Sequence, residues 1–233
     1  MKILDSTAYQ ILVDAKDDKK CFYRYEEAAK WIEEHDLLIC SMTKEEGRLV
    51  IQAEKANGWI LREVREEENE KAYDFIREFS SEFRPQISWR GRTIHEMAIH
   101  GLNLGKWKGY GYFDEDGNLM AYVDSKLRAD GHIEIGIVVT DKKARGCGLA
   151  AGLLYFHRLK YAAYNLCSGT YEENKGMRRT FEKTGFVPKV FKEKETGKEY
   201  IFIRDRYHPE HPGDERFLTN SIYYICDSLT GKK

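Results

Sequence analysis

The sequence predicts an α/β (α+β) fold, and three observations predict it. Strand-like and helix-like periods follow one another over residues 59–126 in the order β, α, α, β, β. A β-branched run at 132–140 then passes through a glycine loop into a helix. A second block, strand then helix then glycine then hairpin, fills 165–204. A smaller mixed unit, residues 1–57, precedes them.

In that N-terminal unit, Tyr9–Val13 and Cys21–Tyr25 read as strands, and Glu26–His35 reads as a helix burying Ala29, Trp31 and Ile32. Leu37–Ser41 and Arg48–Ala53 add two strands. Trp31, Tyr23 and Tyr25 form a candidate packing face for a sheet edge or an acceptor cleft. Asn57-Gly58 is a turn and the expected boundary. Trp59–Val64 alternates as a strand. Ala72, Phe75, Ile76, Phe79 and Phe83 then share one helix face, ended by Pro85. Thr93–Leu102 reads as a second helix, with Thr93 and Glu96 in capping-box spacing. Gly109–Phe113 and Leu119–Lys126 flank Asp116-Gly117, a strong hairpin signal.

Bulk properties exclude several classes. A net charge of −1 offers no basic field for nucleic acid or an anionic membrane. No run of about 18 apolar residues exists, so no membrane span is expected. Asp5 interrupts the start too early for a signal peptide. The five cysteines are odd in number and scattered, which fits reduced thiols and a cytoplasmic location better than a disulfide or zinc framework. His208-Pro-Glu-His211 lacks two further ligands, so no metal is expected.

The chemistry concentrates after residue 131. His132–Thr140 is apolar, β-branched and too short for a helix, so it reads as a buried strand. Simple alternation puts Ile133, Ile135, Ile137 and Val139 on one face and His132, Glu134, Gly136, Val138 and Thr140 on the other. Ionisable groups on such a face are costly to bury without partners, which makes Glu134 and His132 candidate catalytic residues. The strand runs into Asp141–Ala150, with Arg145, Gly146, Cys147 and Gly148 before a helix that places Leu149, Leu153 and Phe156 on one face. Glycines let backbone N–H groups crowd an anion, and a helix N-terminus adds unpaired donors. The loop is neither a Walker loop nor a dinucleotide fingerprint. Cys147 has no nearby partner for a triad and reads as loop backbone.

Asn165–Ser168 is a further short strand. In the stretch Asn174–Phe186, Met177 and Phe181 share a helix face and Gly185 ends it. Phe186–Phe191 and Glu199–Arg204 read as a hairpin around Glu195–Lys198.

These two blocks carry a resemblance. Arg145-x-x-Gly148-x-Ala150 resembles the (Arg/Gln)-x-x-Gly-x-(Gly/Ala) phosphate loop of the GNAT superfamily of acyl-CoA N-acyltransferases. Asn174 to Phe186 resembles that family's Asn helix ending in Gly-Phe. The resemblance covers roughly residues 58–205. It implies a central mixed, mostly antiparallel twisted sheet with helices on both faces, splayed near a bulge between its fourth and fifth strands. It implies domains at 1–57 (an extension of unrecognised role), 58–207 (the acyltransferase) and 208–233 (a tail with one extra strand). Ser221–Leu229, that strand, is free to pair within the chain or with a second copy in a homodimer.

The resemblance also implies acetyl-CoA as cosubstrate. Its pantetheine would pair with the backbone of Val138, Val139 and Thr140, and its pyrophosphate would lie on the amides of Arg145, Gly146, Cys147, Gly148, Leu149 and Ala150. Asn174 would fix the pantetheine arm. A backbone N–H near Val138 and Val139 would polarise the thioester, and Glu134, with His132 beside it, would take the proton of a small-molecule primary amine. Many members carry Tyr where this chain has Phe181, so the general acid is unassigned, with Tyr171, Tyr164 or water as candidates. Two other readings stay open: a protein or aminoacyl-tRNA acyltransferase, and an acyl-CoA-binding module without turnover.

Overall fold

The computed structural model describes residues 10–16, 18–82, 107–171, 174–189 and 221–231. The expected helix at Thr93–Leu102, Pro85, the strand at Glu199–Arg204 and the His208/His211 pair lie outside these residues.

The N-terminal unit is a four-stranded sheet of order β2-β1-β4-β3. Its strands are β1 (Gln10–Ala15), β2 (Asp18–Phe22), β3 (Leu37–Glu45) and β4 (Arg48–Lys55), with helix α1 (Tyr25–Glu34) between β2 and β3. β2 ends at Phe22, short of the expected Tyr25, which instead opens α1 and donates its hydroxyl to the Leu229 carbonyl.

The main sheet has seven strands in the order β10-β11-β9-β8-β7-β6-β5. They are β5 (Ile60–Glu63), β6 (Lys108–Phe113), β7 (Leu119–Leu127), β8 (Ile133–Thr140), β9 (Leu166–Tyr171), β10 (Val187–Lys189) and β11 (Ser221–Cys226). All neighbours pair antiparallel except β8 and β9, which are parallel. The sheet is mixed and mostly antiparallel, as the sequence predicts. The expected extra strand of the tail is an interior strand here. β11 pairs with β9 on one edge and β10 on the other, so neither edge is free for a second copy.

Helices cover both faces. α2 (Asn69–Glu78) packs Ala72, Tyr73, Phe75 and Ile76 with Tyr122, Ile137 and Val139 of the sheet. α2 stops at Glu78, and a 3-10 turn, Ser80–Glu82, replaces the expected continuation to Phe83. On the opposite face lie α1 and α3 (Leu149–Lys160), and α4 (Lys175–Lys183) packs against α3.

α3 is buried nearly all round, including Leu149, Gly152, Leu153, Leu154, Phe156, His157 and Leu159. A helix apolar on every side must be enclosed. Here the main sheet covers one side and β3 of the N-terminal sheet covers another. Leu38 of β3 seats against Gly152, where a Cβ would collide with its methyl group, and reaches to 4.0 Å from the position a Gly148 Cβ would take. The N-terminal unit therefore backs the glycine loop, and one core spans both sheets. Trp31 belongs to that core, while Tyr23 is exposed. Among the described residues no helix is long and apolar enough to cross a membrane.

Candidate active site

The site is a gap between two strands that begin paired. Ile133 and Glu134 of β8 lie opposite Leu166 and Cys167 of β9. The Ile133 N–H donates to the Asn165 carbonyl at 2.9 Å, and the Ser168 hydroxyl donates to the Ile135 carbonyl at 3.0 Å. From Gly136 onward β8 has no β9 partner, while β9 continues along β11 to Tyr171. The fourth and fifth strands of this sheet are splayed.

A bulge sets which groups face the gap. Along β7 and β8, Val123 pairs with Val138, but Ser125 pairs with Ile135, so Gly136 and Ile137 together oppose Asp124. This corrects the alternation expected from the sequence. Ile133 and Ile135 enter the core of α1 and α3, whereas Ile137 and Val139 enter the core of α2. The Asp141 N–H donates to Met120 on β7 at 2.9 Å. Two-residue periodicity therefore turns Val139 toward β7 as well, and turns the backbones of Val138 and Thr140 into the gap. Val139, grouped with them from the sequence, is paired with Tyr122 and its side chain is buried.

At its open end the gap meets the loop. Asp141 caps a 3-10 turn by accepting the Lys143 N–H at 2.7 Å. Gly146 and Gly148 follow with φ of 85° and 83°, a region that costs non-glycine residues strain. Gly148 is the N-cap of α3 and supplies no side-chain cap, so the first amides of α3 keep their donors. Nothing lies within 4 Å of the position a Gly146 Cβ would occupy. Cys147, between the two, is exposed. Arg145 donates from Nε to the Thr140 carbonyl at 3.2 Å and from Nη2 to both Glu82 oxygens at 2.8 Å, with its guanidinium 5.6 Å from the Phe79 ring centre. This array of amides, helix terminus and arginine suits a phosphate ester, and the unpaired β8 backbone suits an extended amide-bearing chain. Asn174 accepts the Met177 N–H at 3.0 Å and so caps α4.

Other candidates fall in different places. Glu134 faces Lys126 at 3.1 Å and Arg128 at 3.8 Å. Lys126 in turn lies over the Trp107 ring, on the α2 side of the sheet. His132 precedes β8, where β8 and β9 are still joined, with Nδ1 3.3 Å from Asp130. It is not brought together with the loop. Phe181 is buried, stacked on Tyr224 at 4.9 Å and beside Phe186 at 5.2 Å, so it faces core rather than a polar gap. Tyr164 lies beyond the far end of the 12-residue α3, about 18 Å of helix rise from the loop.

One residue escaped the sequence reading. Asp124 is fully buried at the bulge, accepting the Ile137 N–H on Oδ1 at 2.7 Å and the Tyr122 hydroxyl on Oδ2 at 3.4 Å. Burial pushes its carboxyl up to about 7 against those two bonds; Glu134 raises it further and Lys126 lowers it. Its only signal was an acid directly after the apolar run Leu119–Val123.

The arrangement can be compared with solved structures. An acetyltransferase of the GNAT family from Staphylococcus aureus aligns with 72% of this chain and 99% of its own, at 14% identity and a TM-score of 0.50. A protein assigned to the same family from Desulfovibrio desulfuricans aligns with 72% of this chain and 98% of its own, again at 14% identity and 0.50. This chain has the GNAT fold. No protein-family model and no curated protein matches it by sequence. Within this fold the splayed end of β8 runs directly into the glycine loop and the α3 N-terminus. Among the described residues no group of three or more His, Cys, Asp or Glu could hold a metal ion.

Proposed function

We propose that the chain is an N-acetyltransferase that moves an acetyl group from acetyl-CoA to a primary amine of a small molecule or amino acid. The observation that carries this reading is the splay of β8 from β9 opening onto the uncapped N-terminus of α3. In this reading the catalytic unit is residues 58–207 together with β11. The amides at Gly146–Ala150 and Arg145 hold the pyrophosphate, and the Val138 and Thr140 backbones hold the pantetheine. Asn174, at the start of α4, borders that arm.

The chemistry follows from the Val138 backbone in the gap and from Glu134, two residues before Gly136, where the splay begins. The Val138 N–H donates to the thioester carbonyl and stabilises the oxyanion as it forms. The amine nitrogen attacks the carbonyl carbon directly, the C–S bond breaks, and the thiolate leaves. Glu134 takes the ammonium proton through water. Lys126 and Arg128 hold that carboxylate in place between turnovers.

The test is thiol release from acetyl-CoA against a panel of primary amines, amino acids and polyamines, with Gly148→Asp as the control. Amine-dependent release that this control abolishes is the expected result. Acetyl-CoA binding with no release for any amine, peptide or aminoacyl-tRNA would make the chain a binding module instead.

A further inference from the structure

We infer that Asp124 is a positioning residue, whose carboxylate pins the bulge of β8 through the Ile137 N–H and so aims the Val138 N–H into the gap. The inference rests on the proposed acetyl transfer for its catalytic consequence, but the clamp is a property of the chain alone. A bulge leaves one backbone donor without its ladder partner. Here that donor is the Ile137 N–H, and the Asp124 side chain takes the place of the missing strand carbonyl at 2.7 Å. Because Val138 is the next residue, the orientation of the 137–138 peptide fixes where its N–H points.

The neighbours leave the clamp no slack. A Cβ on Gly136 would collide with Asp124 Oδ1 and would lie 2.6 Å from the Trp107 ring. Only glycine at 136 lets the carboxylate and the indole close over the bulge. Lys126 lies 4.4 Å from the centre of that indole, so the strand residue that pairs with Glu134 also braces the cover. The groups around the carboxylate are the Tyr122 hydroxyl and Lys126 from β7, Glu134 from β8, and Tyr73 of α2 beyond Tyr122, among the described residues. With both oxygens accepting and no exposed surface, Asp124 is built to hold backbone rather than to meet an amine.

Protonation turns a charge-assisted bond into a weaker neutral one. Asn at this position keeps the acceptor but not the charge, whereas Ala removes both. The first measurement follows the Ile137 amide resonance of the labelled full chain from pH 5.5 to 8.5. Its shift should titrate with a midpoint near 7 in the wild type and be flat in Asp124→Asn. An Ile137 amide resonance that Asp124→Asn leaves unchanged at every pH overturns the clamp whether or not any amine is acetylated.

The second measurement uses the amine that the panel identifies. The ratio of wild-type to Asp124→Asn kcat cancels the titration of the amine itself. It should fall from about two- to fivefold at pH 8.5 to about one at pH 5.5. Asp124→Ala should lose at least about tenfold in kcat with the KM for acetyl-CoA changed less than threefold. Loss of 10²-fold or more in Asp124→Asn would make Asp124 the proton acceptor and overturn the positioning role. Failure of every amine, with the Ile137 titration intact, would sink the proposed activity and leave the clamp standing.

Discussion

Arg145 is held by Glu82 through both carboxylate oxygens at 2.8 Å, so the first side chain of the glycine loop is already engaged by the turn after α2. The pair is nearly half exposed on each side, and such pairs contribute little stability. A phosphate can therefore displace Glu82 at small cost. Glu82→Gln should tighten CoA binding by less than about fivefold, and Arg145→Ala should weaken it by about tenfold, on the order of 1.4 kcal/mol. Titration calorimetry on the two variants separates them. Tighter binding by Arg145→Ala would mean that Arg145 shields the loop instead of serving it.

Gly148 combines a positive φ with the start of α3. Gly148→Asp puts a carboxylate among amides that have no other partner to turn to. CoA affinity should fall at least about tenfold. Equal affinity in a folded variant, measured the same way, would remove the loop from the binding site.

Asp124 links pH to stability in a defined direction. Its carboxyl is raised from 3.8 to about 7 in the folded chain, so the folded state binds this proton more tightly than the unfolded state. That favourable contribution is complete below about pH 4 and is lost as pH rises through 7. Asp124→Asn, which stays neutral, should gain stability over the wild type as pH rises, by at most about 4 kcal/mol at pH 8. Urea melts at pH 5, 6, 7 and 8 test this; a difference that shrinks with rising pH would contradict it.

Much of this site was legible in residue order, and the rest was not for identifiable reasons. Gly146, Gly148 and the apolar helix after them announced themselves, because few residues tolerate positive φ and helix N-termini need room. The splay came from the family resemblance alone. A bulge near the splay came from that resemblance too, but its position did not show, because Ile133 to Ile137 alternates cleanly and nothing in such an alternation marks where the chain changes face. Gly136 was its only trace. Asp124 was passed over since one acid in a strand is ordinary until its burial is known. The enclosure of α3 was visible in composition, with Tyr155, Leu154 and Ala151 apolar off the expected stripe, yet it was read as one face.

The contact of Leu38 with Gly152 gives a direct test of how the two sheets are joined. Gly152→Ala drives a methyl into Leu38 and brings it 3.2 Å from the Tyr112 hydroxyl, costing about 1–3 kcal/mol. Leu38→Ala leaves a cavity and should cost about 2–4 kcal/mol. The double variant should be more stable than the sum of the two by at least about 1 kcal/mol. Strict additivity in denaturant melts would place the two residues out of contact.

Phe181 offers a contrasting variant. Adding a hydroxyl between Tyr224 and Phe186 buries a polar group, so Phe181→Tyr should lose about 1–3 kcal/mol and gain no rate. A thermal melt and a thiol-release assay on the same sample decide it; faster turnover would show that the ring reaches the leaving sulfur.

The interior position of β11 constrains the order in which the molecule can be assembled. β9 and β10 are not neighbours; β11, made after both, lies between them at residues 221–226. As the chain leaves the ribosome, β6 to β9 can each pair with a strand already present, but the link between β9 and β10 must wait for some thirty residues more. Closure of the sheet on that side thus comes after every other described strand is made, and it joins strands far apart in the chain, the slow kind of contact. A ribosome halted between 190 and 220 would display an open sheet edge along β9, and that is the interval in which a nascent chain of this design is most exposed to pairing with the wrong neighbour.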